Sequence, residues 1–278
     1  GKTGPDKDLP GYDFTAFFGR GGYTENLRKR GGQPITMLPG VGDNNVGLML
    51  ALGIVTAIAK RQITGEGDFV TASLYETAIW NQSIMLLGAQ YNGAALEYPI
   101  SIYDNKNPLN GTYASSDDRL IQCAMPDYNP RFEHFCDVIG RRDLFESGKF
   151  WPQADMLASG NLVELIDEIT ATFKTKTKEE WTKILKEGDI PHSVAYSWYE
   201  MLYDPQANAV GAYYDCVCPN GAVRKVTHTP VRIESEGELD GRTAPLIGQQ
   251  GPEVLAELGY SEEQIAAMLE SGALYVWK

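Results

Sequence analysis

The segment Gly40-Val41-Gly42-Asp43-Asn44-Asn45-Val46-Gly47 sets a carboxylate at the mouth of an apolar run that extends to Ala59. If that run is a helix, the unpaired N–H groups of its first turn carry roughly half a positive charge, which favours an anion at Asp43 and can also receive a developing oxyanion. The two glycines, lacking side chains, let a bulky substrate approach the backbone. An ionised carboxylate in that setting has the chemistry of a nucleophile toward an activated acyl group. Asp is also a favoured residue at helix starts and Gly-Asp-Asn is ordinary turn chemistry, so the residues themselves leave a catalytic and a purely structural reading open.

The remaining reactive side chains point to no second chemistry. His134, His192 and His228 lie far apart, with no carboxylate or cysteine at ligand spacing, and read as packed or surface histidines. Cys216 and Cys218 share one face of a possible strand and read as small buried apolar groups. Lys174, Lys176 and Lys178 form a basic run that reads as a solvated turn between two helices. Gly19-Arg20-Gly21-Gly22 lacks the strand-then-helix context of a dinucleotide fingerprint, and no phosphate-binding loop, nucleophile elbow or His-Glu-x-x-His is present.

The elements that must position Asp43 come from a chain of 278 residues, 43% hydrophobic and 22% charged, enough to bury a sizeable core. Its 24 basic against 37 acidic side chains give a net charge of −13, which opposes nucleic acid and anionic membrane surfaces as partners. Four sparse cysteines suggest neither a disulfide framework nor a zinc site, and a reducing cytoplasm suits them best. No metal and no prosthetic group is expected. Residues 1–45 are punctuated by Gly and Pro, with a short aromatic helix at Tyr12 to Phe18. The apolar run predicts a helix from Val46 to Arg61, too short to span a bilayer and apolar on all sides, hence buried inside a layered fold. Asp68 to Leu74 alternates like a strand, and Tyr75 to Tyr91 is helical again, an α/β arrangement.

Tyr98 to Gly111, rich in Pro and Asn, reads as a linker. Strands follow at Gly111 to Ala114 and Leu120 to Ala124, turning at Asp117-Asp118, then a helix from Pro130 to Ile139. Leu162 to Phe173 and Lys178 to Glu187 are amphipathic helices, the second opened by Thr177 with Glu180 at the capping-box position. Further strands are predicted at Asp189 to Ala195 and Val223 to Ile233, and closing helices at Pro252 to Leu258 and Ser261 to Glu270.

Taken together, Gly4-Pro5 through Pro10-Gly11-Tyr12-Asp13, then Asp43-Asn44-Asn45-x-Gly47, then Thr64-Gly65-Glu66-Gly67-Asp68-Phe69, form a pattern that resembles the family III CoA-transferases, the CaiB/BaiF type. The likeness continues in order through Asp189-Ile190-Pro191, Asp204-Pro205-Gln206, Thr229-Pro230-Val231 and Ala244-Pro245 to Glu253-Val254-Leu255 and Leu258-Gly259-Tyr260. The opening Gly4 to Asp13 and Cys123-Ala124-Met125-Pro126-Asp127-Tyr128 look most like the 2-hydroxyacyl-CoA transferases of amino-acid fermentation, which serve acids such as phenyllactate or 2-hydroxyisocaproate.

The resemblance implies an α/β fold, a Rossmann-like large domain with a smaller α+β domain, in an interlocked homodimer. It divides the chain into residues 1–100 (the large-domain part with the nucleophile), 101–165 (small domain and linker) and 166–278 (return to the large domain). It implies that Asp43 attacks an acyl-CoA thioester, passing through an aspartyl anhydride and an aspartyl-CoA thioester before an acceptor acid collects the CoA. Coenzyme A thioester is then a substrate, with no bound prosthetic group. Tyr12, Asp13, Gly42 and Asn44 are implied to line the substrate or CoA pocket, Gly42 and Asn44 through backbone contacts.

The chain also resembles a fragment lacking the family's N-terminal third, whose βα units would arrive within a longer polypeptide or as a separate chain. Gly248-Gln249-Gln250-Gly251 stands where relatives often have Gly-x-His-Thr. Two alternatives accompany the transferase reading. Racemases of the same family carry a histidine at the place of Tyr12, and a tyrosine of ordinary pKa near 10 is a poor base at neutral pH. A noncatalytic fragment that needs a partner chain is the other.

Overall fold

A computed structural model of the chain describes residues 3–29, 31–91, 101–237 and 243–277. The chain divides into two compact units, residues 1–195 and 196–278.

The first unit begins with a π-helical turn, Asp13–Gly19, where the aromatic segment is predicted, followed by α1 (Tyr23–Asn26). α2 (Val41–Thr64) starts five residues earlier than the apolar pattern suggests, so that Asp43 lies inside its first turn. Its length is about 36 Å at 1.5 Å per residue. Ser73 then caps α3 (Leu74–Asn81) by accepting from the Glu76 amide at 3.2 Å, and α4 (Ser83–Gly88) follows. Phe17, Phe18 and Ala78 form a small core, joined by Tyr23, Met37 and Leu74, that ties the π-helical turn to α3.

Two expectations fail here. α2 is not buried: Leu48, Leu52 and Val55 are each more than 60% exposed, and Gly42 is its one buried residue. No other described element covers its outer face, and by length and composition it would suffice to cross a membrane, a property it shares with core helices of soluble proteins. The strand predicted at Asp68 to Leu74 does not form: residues 68–73 pair with no described segment, and Leu74 is already the first residue of α3. The parallel sheet of a Rossmann-like arrangement is therefore not formed among the described residues, whose sheets are both antiparallel.

Residues 101–195 hold the main core. β1 (Thr112–Ala114) pairs with β2 (Leu120–Cys123), turning at Asp118, whose φ is 57°. α5 (Tyr128–Val138), α6 (Arg142–Glu146), α7 (Gln153–Ala158), α8 (Leu162–Phe173) and α9 (Lys178–Glu187) follow, and β3 (His192–Val194) returns to pair with β2. Tyr113, Phe173 and Trp181 stack in series at 5.0 and 4.8 Å between ring centroids, and the Trp181 indole donates to the Phe173 carbonyl at 2.8 Å. Thr177 caps α9, its hydroxyl accepting from the Glu180 amide at 3.3 Å, as the capping-box spacing predicts.

Of the expected linker, residues 98–100 lie outside the described residues. Residues 101–111 belong to the core instead: Leu109 is fully buried, and the Asn107 side chain donates to the Met125 carbonyl at 2.9 Å. The division expected after residue 165 falls inside α8, whose Leu165, Ile169 and Phe173 pack in the same core as β1 and β2.

In the second unit α10 (Trp198–Tyr203) and α11 (Pro205–Ala209) precede a hairpin of β4 (Tyr213–Val217) with β5 (Val223–Thr227). The chain ends in α12 (Gly251–Glu257) and α13 (Glu262–Glu270), the latter capped by Ser261 as predicted.

Candidate functional site

Gly40 precedes α2 with φ 81°, a left-handed conformation that glycine adopts without strain, and it offers no side chain to cap the helix. The cap comes from 27 residues upstream. Asp13 Oδ2 accepts from the Gly40 amide at 2.5 Å and Oδ1 from the Gly42 amide at 2.9 Å. Asp13 is only 6% exposed, and no other Asp, Glu, Lys or Arg is buried among the described residues. A carboxylate there neutralises two of the helix's orphan donors and complements the positive end of its dipole. Gly42 is obligatory for this fit, because a Cβ at that position would stand 2.3 Å from Asp13 Oδ1 and 2.4 Å from Phe17 Cγ.

Asp43, the residue after the clamped Gly42, is exposed to solvent. Asn44 is exposed as well, and its amide donates to the Gly40 carbonyl at 2.9 Å, the first bond of the helix. Asn45 stitches the turn to α3: its amide group donates to the Val41 carbonyl at 2.7 Å and its oxygen accepts from Asn81 at 3.3 Å. The amides of Val41 and Asp43 have no acceptor among the described residues.

Four of the sequence-predicted positions thus converge on one helix start, but not all in the roles expected. Tyr12 adjoins the site with its side chain 70% exposed, and its amide donates to Thr15 Oγ1 at 3.0 Å. Asp13 faces inward to the backbone rather than outward to a ligand. The Gly42 and Asn44 amides are already donated, so neither is free to receive a substrate oxygen. Sequence reasoning missed Asn45 and Asn81 as the tie between α2 and α3; a run of two asparagines after the acid is the one signal that could have shown it.

A recess of about 440 Å³ opens beside the π-helical turn, between residues 3–11, Arg20 and the start of α3. Arg20 there pairs with Asp6 at 2.5 Å and lies over the Tyr75 ring at 5.2 Å, and both partners hold its pKa above the ordinary arginine value. In the second unit a shallow cavity of about 600 Å³ is bounded by Pro245 to Gly251, α12 and α13, and so contains the Gln249-Gln250 loop. Asp43 lines neither.

The other singled-out residues are engaged structurally. A ring nitrogen of His134 lies 2.7 Å from the Gly188 carbonyl, one of His192 lies 2.7 Å from that of Ile190, and His228 packs edge-on against Tyr214. Lys174 pairs with Asp118 at 2.5 Å and Lys176 sits over the Trp181 ring. Cys123, Cys136 and Cys216 are buried, and all four cysteines are free thiols. No group of three or more His, Cys, Asp or Glu arranged to hold a metal ion occurs among the described residues.

Residues 1–251 match the model of CoA-transferase family III, and the protein belongs to that family. It is 37% identical over 278 residues to the cinnamoyl-CoA:phenyllactate CoA-transferase of Clostridium sporogenes, covering 100% of this chain and 67% of that protein. It is 36% identical over 265 residues to the (R)-2-hydroxy-4-methylpentanoate CoA-transferase of Clostridioides difficile, covering 95% of this chain and 65% of that protein. The chain therefore spans about two thirds of the length of these relatives. Its fold is similar to that of a CaiB/BaiF family protein from Brucella suis, with a TM-score of 0.73 over 93% of this chain and 65% of the other at 22% identity. That likeness carries the family fold expected from the sequence.

Proposed function

We propose that the protein transfers coenzyme A between an acyl-CoA thioester and a free carboxylic acid, with Asp43 as the covalent carrier. The observation that carries this reading is the exposed Asp43 carboxylate in the first turn of α2, on a backbone fixed from behind by Asp13. Attack of an Asp43 oxygen on the thioester carbonyl expels the CoA thiolate and forms an aspartyl acyl anhydride. The thiolate then attacks the aspartyl carbonyl, the donor acid leaves, and an aspartyl-CoA thioester remains. The acceptor carboxylate attacks that thioester, a second mixed anhydride forms, and returning thiolate releases the new acyl-CoA with Asp43 free. Each tetrahedral step develops an oxyanion, and the Val41 and Asp43 amides are donors with no acceptor among the described residues.

The names of both relatives point to a 2-hydroxy acid as one substrate. The proposal extends to the whole protein: CoA thioester as substrate with no prosthetic group, an interlocked homodimer, a cytoplasmic setting, and the added length of the relatives as the remainder of the CoA site. Its test is Asp43→Ala and Asp43→Asn in the intact protein. Both variants are expected to lose CoA exchange between phenyllactate or 2-hydroxy-4-methylpentanoate and their thioesters, and to yield no aspartyl hydroxamate when the thioester-treated protein meets hydroxylamine. Retained exchange, or hydroxamate at another residue, would reject Asp43 as carrier. Release of α-deuterium from an acyl-CoA without any acceptor acid would place the protein with the racemases instead.

A further inference from the structure

We infer that Asp13 is a positioning residue that sets the geometry of the Asp43 turn through the backbone, and that it does not touch substrate. The inference rests on the Asp43 carrier reading. A carboxylate 94% withdrawn from solvent, and the one such charge among the described residues, is costly unless its oxygens are bonded, and here each oxygen takes one amide of the same turn. The two amides flank Val41 on either side, and the second belongs to the residue just before Asp43. The clamp thus fixes the peptide planes on which the Val41 amide, the Asp43 amide and the Asp43 side chain are mounted. Gly40 contributes no side-chain cap that could replace it, and Phe17 closes the other side of Gly42. Displacing a reacting group by about 1 Å is worth roughly a hundredfold in rate, so a turn held only by its own helix bonds cannot serve as well.

Asp13→Ala and Asp13→Asn test this in the intact protein. Asparagine has one acceptor oxygen, so in either rotamer its amide group faces a backbone N–H and one of the two bonds is lost; alanine loses both. The expected result is a graded fall in kcat, about tenfold for Asn and about a hundredfold for Ala, with KM for acid and thioester within about twofold of wild type. Hydroxamate formation at Asp43 should slow in parallel, and the Gly40 and Gly42 amides of the Asn variant should exchange with deuterium faster while β2 amides keep their protection. A raised KM at unchanged kcat would make Asp13 a substrate contact and overturn the inference. A lowered melting temperature with full kcat per folded molecule would overturn it too, as a merely structural role. If wild type itself neither exchanges CoA nor yields hydroxamate, the carrier reading fails, while unchanged exchange at the Gly40 and Gly42 amides would sink the clamp independently.

Discussion

Replacing Gly42 by alanine adds a single methyl group at the most crowded point of the site. Its carbon would stand 2.3 Å from Asp13 Oδ1, 2.4 Å from Phe17 Cγ and 2.6 Å from Phe17 Cβ. Carbon pairs are comfortable at about 3.5–4.0 Å, so the intrusion is about 1 Å on two sides and neither neighbour can yield alone. Overpacking of this kind costs about 1–3 kcal/mol, and the displaced carboxylate loses at least one amide bond worth about 1.5–3 kcal/mol. Against this stands about 1 kcal/mol of helix propensity gained over glycine. The net expectation is a destabilisation of about 2–5 kcal/mol. Gly47, five residues along the same helix, is the internal control: nothing lies within 4 Å of its Cβ position. Gly47→Ala should therefore gain about 0.5–1 kcal/mol. Urea unfolding with a common m-value measures both. Opposite signs support the clamp geometry, whereas a Gly42→Ala midpoint at or above wild type would refute it.

The remaining predictions concern the core and its titratable groups. Trp181→Ala removes a fully buried ring stacked on Phe173 and should cost about 3–5 kcal/mol in denaturant unfolding; a loss under 1 kcal/mol would contradict the stacking series. Burial pushes the Cys123 and Cys136 thiols up to about 12, so both stay protonated at pH 8 and should resist iodoacetamide in the native protein while partly exposed Cys218 reacts. Because these folded pKa values are raised, the unfolded thiols ionise first: the contribution to stability is intact below about pH 8.5 and drains away as pH climbs toward 12. Bonds from the Thr177 amide and hydroxyl hold the Glu180 carboxyl below its ordinary value, so this cap stabilises α9 above the carboxylate range and is lost as pH falls through the lowered value. Thr177→Ala should cost about 1 kcal/mol at pH 7, and by less at pH 3, in paired melts.

What the sequence disclosed follows the range of the forces involved. α8 and α9 begin and end where their periodicity and the Thr177-Glu180 pair say they do, because these signals are local. β1 and β2 were legible for the same reason, each set off by the Asp117-Asp118 turn. The start of α2 was not, since Val41 and Gly42 read as turn residues and their helical state is secured by Asp13, 27 to 29 residues away. Residues 101–111 look like a linker in composition, yet Asn107 caps the Pro108 turn and anchors it to Met125 and Pro126, drawing Leu109 inside. The apolar-polar alternation at Asp68 to Leu74 is present in the sequence, but a strand needs a second segment to pair with and none of the described segments does so, while Leu74 joins α3. Of the candidate site, the position of Asp43 at a helix start was readable from residue type and neighbours; that the acid beside Tyr12 bonds the backbone could be seen only in three dimensions.

The core between Leu109 and Ile190 is built from its own helices and a three-stranded sheet in which β2 lies between β1 and the returning β3. A stretch that satisfies its own interior is portable: it can drift, be trimmed at its surface or be traded for a homologous version without retuning the Asp43 turn. Variation inside this core and variation at the start of α2 are then separable, because no residue of the one is needed to fill the interior of the other.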